Sequence, residues 1–292
     1  MIINNSNLAI LNQAFNAAFK GGMALATPTW REIAMVVSSK AAIETYGWLG
    51  STTRFREWVG DRIFQNLKTH SYSIVNKTFE NTVEVPRDVI EDDQYGIYTP
   101  AVQQLGMDTE MFPDELVYSA IIAGGSTLCY DGQYFFDTDH PVGSASVSNS
   151  FSGSGAAWYL LDTSKPIKPV IYQDRRPFKL IPKTKLDDDN VFEGNAFVWG
   201  VDGRCNVGYG LWQLAVKSQA TLDEAGYAAA RAAMLGFKSD TGKPLGCKPN
   251  VLLVGPSNEQ AALKMVQAET LANGATNVNR GSAKVVVTGW LA

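Results

Sequence analysis

The side chains most able to do chemistry gather around His140. In Asp137-Thr-Asp139-His140-Pro141, two carboxylates and an imidazole resemble a set of metal ligands. Neighbouring residues on an irregular loop rarely converge on one ion, and no second His or Cys stands nearby at a ligand spacing. We therefore interpret this string as a capped turn before a proline and predict no metal ligands.

Cys129 stands eleven positions before His140, so a Cys/His nucleophile pair is formally possible. Nothing in the neighbouring sequence marks this cysteine as an activated thiolate. A small buried apolar side chain is the favoured interpretation, with ordinary packing as its role.

An acidic run and a glycine loop also resemble known motifs. Asp187-Asp188-Asp189-Asn190 begins like a calcium loop, but Val191 and Phe192 stand where an oxygen ligand and a glycine are needed. The loop from Gly236 to Gly242 has five residues between its glycines rather than the four of a phosphate loop, and a proline replaces the magnesium-binding Ser or Thr. These failures disfavour a hydrolase or transferase, and no catalytic residue or cofactor is predicted.

Composition indicates a soluble chain with a sizeable core and a surface poor in charge. The 292 residues are 45% hydrophobic and 18% charged, against roughly 25% charged in typical globular proteins. Low charge is expected where neighbouring subunits cover much of the surface. The net charge of −4, with no basic stripe, disfavours a dedicated nucleic-acid binder.

The lack of recognisable targeting signals and the cysteine pattern indicate synthesis in a reducing cytoplasm. The 3 cysteines show no CxxC spacing, which argues against a secreted disulfide framework. A signal peptide would require a basic residue near the amino terminus, and none precedes Lys20. No apolar run approaches the roughly 20 residues that span a bilayer. We expect no membrane association.

Residues 6–20 form the first predicted element. Leu8, Leu11, Phe15 and Phe19 recur at spacings of three and four and define one helical face. The segment is either an amphipathic helix packed on its own core or, given the Gly/Pro-punctuated link after it, an arm that swings out. The pattern leaves both open.

The next segments predict strands and then a long helix. Residues 45–86 contain extended pieces, and alternation at Tyr72 and Ile74 and again at Val83 and Val85 suggests a two-stranded hairpin. Thr99-Pro100 then begins a long helix, kinked at its internal proline and ended by a glycine pair at 124–125.

The second half is strand-rich and then mixed. Residues 143–156 are Gly/Ser-rich and predict a flexible surface loop at the clearest internal boundary. Strand signals dominate 158–216. Helices are predicted at 222–237 and 257–273, with a last strand at 284–291.

Extended strings along nearly the whole chain resemble the Mu-like prophage major head subunit (gpT-like) family. Among them are 33–39 (IAMVVSS), 45–50 (TYGWLG), 72–80 (YSIVNKTFE), 129–142 (CYDGQYFFDTDHPV), 208–215 (GYGLWQLA) and 285–292 (VVVTGWLA). Such strings have no reason to recur together in an unrelated fold. The loop at 143–157 matches least.

The resemblance implies the α+β Hong-Kong-97-type fold of tailed-phage capsid subunits. It implies an amino-terminal arm at 1–44, an extended two-stranded loop at 45–88, a peripheral domain at 89–216 and an axial domain at 217–292. The peripheral domain would hold a spine helix at about 97–124 and strands at 158–216. Because these strands precede the α/β block, we expect the two blocks to be exchanged in sequence relative to other subunits of this fold.

The resemblance also implies a structural protein without enzymatic activity, which assembles into an icosahedral head as hexamers and pentamers. Implied partners are a scaffold, a portal and packaged double-stranded DNA, touched at the inner face without sequence specificity. The chain would be made in the host cytoplasm and reside in the virion. The alternative is a phage structural protein that polymerises helically as a tube or sheath, or a decoration protein.

Candidate contacts between subunits come from the aromatic residues of the extended loop. They are Trp48, Phe55, Trp58, Phe64 and Tyr72. Each could equally face the core of its own subunit, so the pattern leaves both interpretations open.

Overall fold

The computed structural model describes residues 2–47, 49, 72–92, 95–240, 242–271 and 274–292. The helices are α1 (Asn5–Leu25), α2 (Arg87–Glu91), α3 (Thr99–Ala123), α4 (Asp189–Phe192), α5 (Glu224–Leu235) and α6 (Glu259–Gln267). The strands are β1 (Ala34–Ser38), β2 (Ile43–Thr45), β3 (Ser73–Val75), β4 (Lys77–Pro86), β5 (His140–Val142), β6 (Ala145–Val147), β7 (Ser150–Phe151), β8 (Trp158–Leu161), β9 (Val170–Lys183), β10 (Ala196–Tyr209), β11 (Ala215–Ser218), β12 (Val251–Val254) and β13 (Lys284–Val287). Within these ranges, no helix combines the length and apolarity needed to cross a bilayer.

Two sheets organise the described chain. The first has the order β1-β9-β10-β4, and its centre is the long antiparallel pair β9 and β10. The second has the order β13-β12-β8-β11-β7, with β8 antiparallel to both of its neighbours. Strand β8 is buried at all four positions, as expected for a central strand covered on both faces.

Helix α3 takes part in both hydrophobic cores. Val102 and Leu105, in its first half, pack with α1 and β10, whereas Val117, Tyr118 and Ile121, in its second half, pack in the larger core that includes the second sheet. Pro113 lies inside this continuous helix of 25 residues. Helix α3 therefore fixes the position of one core relative to the other.

The apolar face of α1 is covered by its own chain. Leu8, Leu11, Phe15 and Phe19 are buried against α3 and β10, and the Phe15 ring meets Trp199 edge-on at 4.7 Å. The helix is thus the packed amphipathic helix and not a swung-out arm. Close approach to α3 makes this possible, because each helix presents a glycine to the other at their crossing.

The predicted hairpin between 72–74 and 83–85 is wrong. Strand β3 pairs with β2, and β4 pairs along its length with β10. A ladder of ten residue pairs with β10 offers β4 far more hydrogen bonds than a local turn, and it buries Val85 in the core with α1.

Two other predictions for the second half also differ from the structure. The Gly/Ser-rich stretch 143–156 contains β6 and β7, and Asn149 at its centre is fully buried. The strands predicted together at 158–216 are divided: β9 and β10 lie in the first sheet, whereas β8 and β11 lie in the second. The second sheet therefore draws strands from both predicted blocks.

Candidate assembly surfaces and a buried polar cluster

Strands β2 and β3 flank segment 46–72 and pair with each other, and we call this pair the base of the loop. Ile43 pairs with Val75 in this short ladder, and the Tyr46 N–H donates to the Tyr72 carbonyl at 2.7 Å. Buried Gln173 on β9 anchors the pair, since its side chain accepts from the Tyr46 hydroxyl at 2.7 Å and donates to the Ile74 carbonyl at 3.2 Å. The base of the loop is therefore fixed to the first sheet by buried polar contacts.

Tyr72 packs against its own subunit. Its ring packs partly buried against the larger core, and its hydroxyl accepts a hydrogen bond from the Tyr209 N–H at 2.7 Å. Burial raises the pKa of Tyr72 to about 12. The other predicted contact residues, Trp48, Phe55, Trp58 and Phe64, lie outside the described residues, and their intersubunit contacts stay predictions.

An apolar groove runs between β4, β9 and α3 and reaches the carboxyl-terminal residues. We call it the α3 groove. Its aromatic floor contains Phe112, which meets Phe79 edge-on at 4.8 Å and Phe178 at 5.7 Å. Its lining residues are Phe79, Glu80, Asn81, Asp108, Thr109, Met111, Phe112, Glu115, Phe178, Val201 and Trp290. The charged groups among them are all acidic, so an apolar floor carries a negative rim.

His140 contacts a different carboxylate from the two that stand beside it in the sequence. Fully buried His140 places Nδ1 2.8 Å from Asp131 Oδ2, and the Cys129 thiol donates to Asp131 Oδ1 at 3.0 Å. The imidazole stacks on Trp212 at 4.0 Å. Asp131 was missed because its approach depends on the turn at Gly132, whose φ of 89° suits glycine; the Asp-Gly pair was the available signal.

This cluster has the geometry of a hydrogen-bonded network. The donor atoms of Cys129, Asp131 and His140 lie within 4.8 Å of one another. Two ligands of one tetrahedral zinc ion lie about 3.3–3.7 Å apart, given bonds of about 2.0–2.3 Å; the 2.8 Å and 3.0 Å separations are those of hydrogen bonds. Burial, with the nearby Asp131 carboxylate, raises the pKa of the Cys129 thiol, which disfavours a nucleophilic thiolate.

The remaining motif candidates are local turns. Asp137 accepts from the Tyr134 N–H at 3.1 Å and the Thr138 N–H at 2.7 Å, which is the capped turn expected there. Asp188 accepts from the Lys185 N–H at 2.9 Å at the start of α4. In the glycine loop, Gly236 ends α5 and Gly242 has a φ of 78°, as a tight turn requires.

Comparison with known proteins identifies the family of this chain. Residues 8–291 match the family described as Mu-like prophage major head subunit gpT. The chain belongs to this family. The Mu-like head subunits similar to it include the major capsid protein of Escherichia phage Mu, 40% identical over 309 residues and covering 100% of both chains. Another is the Mu-like prophage FluMu major head subunit of Haemophilus influenzae, 42% identical with 95% of each chain covered.

Solved structures agree with the family assignment. A subunit from the procapsid of bacteriophage JBD30 superposes with a TM-score of 0.88 at 42% identity, covering 99% of this chain and 100% of that one. This Mu-like head subunit therefore has the Hong-Kong-97-type capsid fold, and the predicted family, fold and shell-forming function are confirmed. Its relatives are structural capsid proteins and not enzymes. It self-associates in the capsid of a virion.

Proposed function

We propose that this subunit builds an icosahedral head as pentamers and hexamers, and that segment 50–71 of one subunit docks in the α3 groove of the next. The observation that carries the docking proposal is the aromatic floor and acidic rim of the groove. Closed shells need heterologous contacts of this kind, in which one patch meets a different patch on the neighbour.

The composition of segment 50–71 complements the groove. It contains four cationic residues and two carboxylates, a net charge of +2 with His70 neutral. The cations are Arg54, Arg56, Arg62 and Lys68, and they are interleaved with the predicted contact residues Phe55, Trp58 and Phe64. The aromatic side chains of the segment would pack on the apolar floor of the groove, and its cations would pair with the acidic rim.

The fixed base of the loop supports such a contact across subunits. Gln173 holds β2 and β3 on the first sheet, so a segment that leaves from this point starts in a defined position. A preorganised origin lowers the entropy lost on docking.

We assign the remaining parts by the same reasoning. The first sheet with α3 would form the peripheral domain, and the second sheet with α5 and α6 would surround the fivefold and sixfold axes. Scaffold and portal proteins would be further partners. Packaged double-stranded DNA would meet the inner face without sequence specificity, because a chain of net charge −4 without a basic stripe is not a dedicated nucleic-acid binder. Synthesis would take place in the host cytoplasm.

Charge reversal at the groove rim tests the docking proposal. The double variant Glu80→Lys with Glu115→Lys should fold but assemble poorly, because its rim repels a cationic segment. Particles would be counted by electron microscopy and sedimentation after co-expression with the phage scaffold. Adding Arg54→Glu and Arg56→Glu should restore assembly by restoring opposite charges.

A matched control is Glu84→Lys with Glu110→Lys, which places the same charges on the same strand and helix outside the groove lining. This control should assemble like the unmodified subunit. Equal loss in both double variants, or normal assembly of the rim variant, would contradict the docking proposal. Open tubes instead of closed shells from the unmodified subunit would contradict the icosahedral one.

A further inference from the structure

Both ring nitrogens of His140 face oxygen atoms. Nδ1 lies 2.8 Å from Asp131 Oδ2, and Nε2 lies 3.3 Å from Asn149 Oδ1. A neutral imidazole carries one N–H and one bare nitrogen, so it can donate to only one of these two oxygens. Hydrogen bonds from the Cys129 thiol and the Gln133 N–H favour the ionised carboxylate of Asp131, so the other contact would set two lone pairs against each other.

The orientation of the Asn149 amide is fixed by its other partners. Its Nδ2 donates to the carbonyls of Phe135 at 2.9 Å, Ala215 at 3.2 Å and Trp212 at 3.3 Å. Its Oδ1 accepts from the Asp137 N–H at 2.9 Å. Turning the amide over would place an oxygen against three carbonyls, so the atom facing Nε2 is an acceptor.

We infer that His140 is an imidazolium in the folded subunit, a double donor that forms a buried ion pair with Asp131. The titratable groups around it are Asp131 and Cys129 from the loop after α3 and Asp137 and Asp139 from its own segment. On the sheet side, the described contacts of the imidazole are with the neutral Asn149 and the face of Trp212. One carboxylate in direct contact and aromatic stacking offset the loss of water around the charge.

The pair joins elements that are distant in the fold. Asp131 belongs to the loop that leaves α3, His140 begins β5, and Asn149 directly precedes β7 at the edge of the second sheet. The charged cluster therefore holds the loop after α3 against the second sheet.

Nuclear magnetic resonance of protein labelled with ¹⁵N-histidine tests the inference directly. The chain has only 2 histidines, so the spectrum of a His70→Gln variant contains only the signals of His140. At neutral pH, the purified subunit should give two protonated ring nitrogens for His140, each with its own attached proton. If the variant folds poorly, the unmodified chain serves, because it adds only the signals of His70.

Two results would overturn the inference. One is a bare ring nitrogen at neutral pH, which identifies a neutral tautomer. The other is one zinc ion per subunit by elemental analysis, lost in Cys129→Ser and with Nδ1 unprotonated, which identifies a metal between these side chains. Two protonated nitrogens and less than a tenth of an equivalent of zinc would support the imidazolium.

Discussion

Replacing Gly22 with alanine should separate α1 from α3. A Cβ atom at Gly22 would lie 1.8 Å from the Gln103 carbonyl oxygen, and one at Gly106 would lie 2.0 Å from that of Phe19. Carbon and carbonyl oxygen in contact stay about 3.3–3.6 Å apart, so the helices must part by roughly 1.5 Å. Helix backbones cannot turn aside as a flexible side chain could.

The expected cost follows from the packing at this crossing. Phe15, Phe19, Val102 and Leu105 are buried between the helices, and a gap of about 0.5–1 Å already forfeits a quarter to a half of a dispersion contact. Overpacking costs about 1–3 kcal/mol, and this approach belongs at or above the upper end. Alanine has a higher helix propensity than glycine, which stabilises the helix by about 1 kcal/mol. The net loss in the free energy of unfolding is therefore about 2 kcal/mol.

Thermal unfolding of the unassembled subunit measures this loss, and the adjacent residue provides the control. Gly21 is exposed on the same helix, and its Cβ would meet nothing within 4 Å. At about 2.1 cal/mol/K of unfolding entropy per residue, a loss of about 2 kcal/mol lowers the Tm of a 292-residue chain by about 3 °C. Gly21→Ala should keep or raise Tm. If the two variants unfold at the same temperature, the close-approach argument is wrong.

Three further predictions concern buried polar groups. Asp114→Asn should destabilise the subunit by about 1–3 kcal/mol in denaturant unfolding, because Asp114 accepts from the N–H groups of Thr29 and Trp30, whereas exposed Glu115→Gln should change little. Burial raises the pKa of four tyrosines from 10.0 to about 12, namely Tyr46, Tyr72, Tyr159 and Tyr209. Their contribution to stability should therefore be complete below pH 10 and lost as pH rises through 12. Phenolate absorbance of the native and the unfolded protein, measured against pH, would check this. Asn277→Ala should speed hydrogen exchange in α6 but not α5, because the Asn277 amide donates to the carbonyls of Lys264, Met265 and Ala268; equal exchange in both proteins would refute this.

Family and local elements could be predicted from the sequence. The spacing of Leu8, Leu11, Phe15 and Phe19 predicts a helix with one apolar face, and Thr99-Pro100 marks the start of α3. Helical periodicity and capping depend on residues within a few positions of each other, so adjacent sequence is sufficient to specify them. The family strings carry the fold and the shell function because they extend over nearly the whole chain.

Partner choice was decided only by the tertiary structure. Periodicity shows that α1 has an apolar face but not that α3 covers it, and β4 reads as a strand without any sign that β10 is its partner. Asp131, His140 and Asn149 meet through a glycine turn and a sheet edge, although the Gly/Ser-rich stretch around Asn149 has the composition of a loop. Such pairings are selected by the burial and hydrogen bonds of residues far apart in sequence, and these contacts exist only once the whole chain has folded.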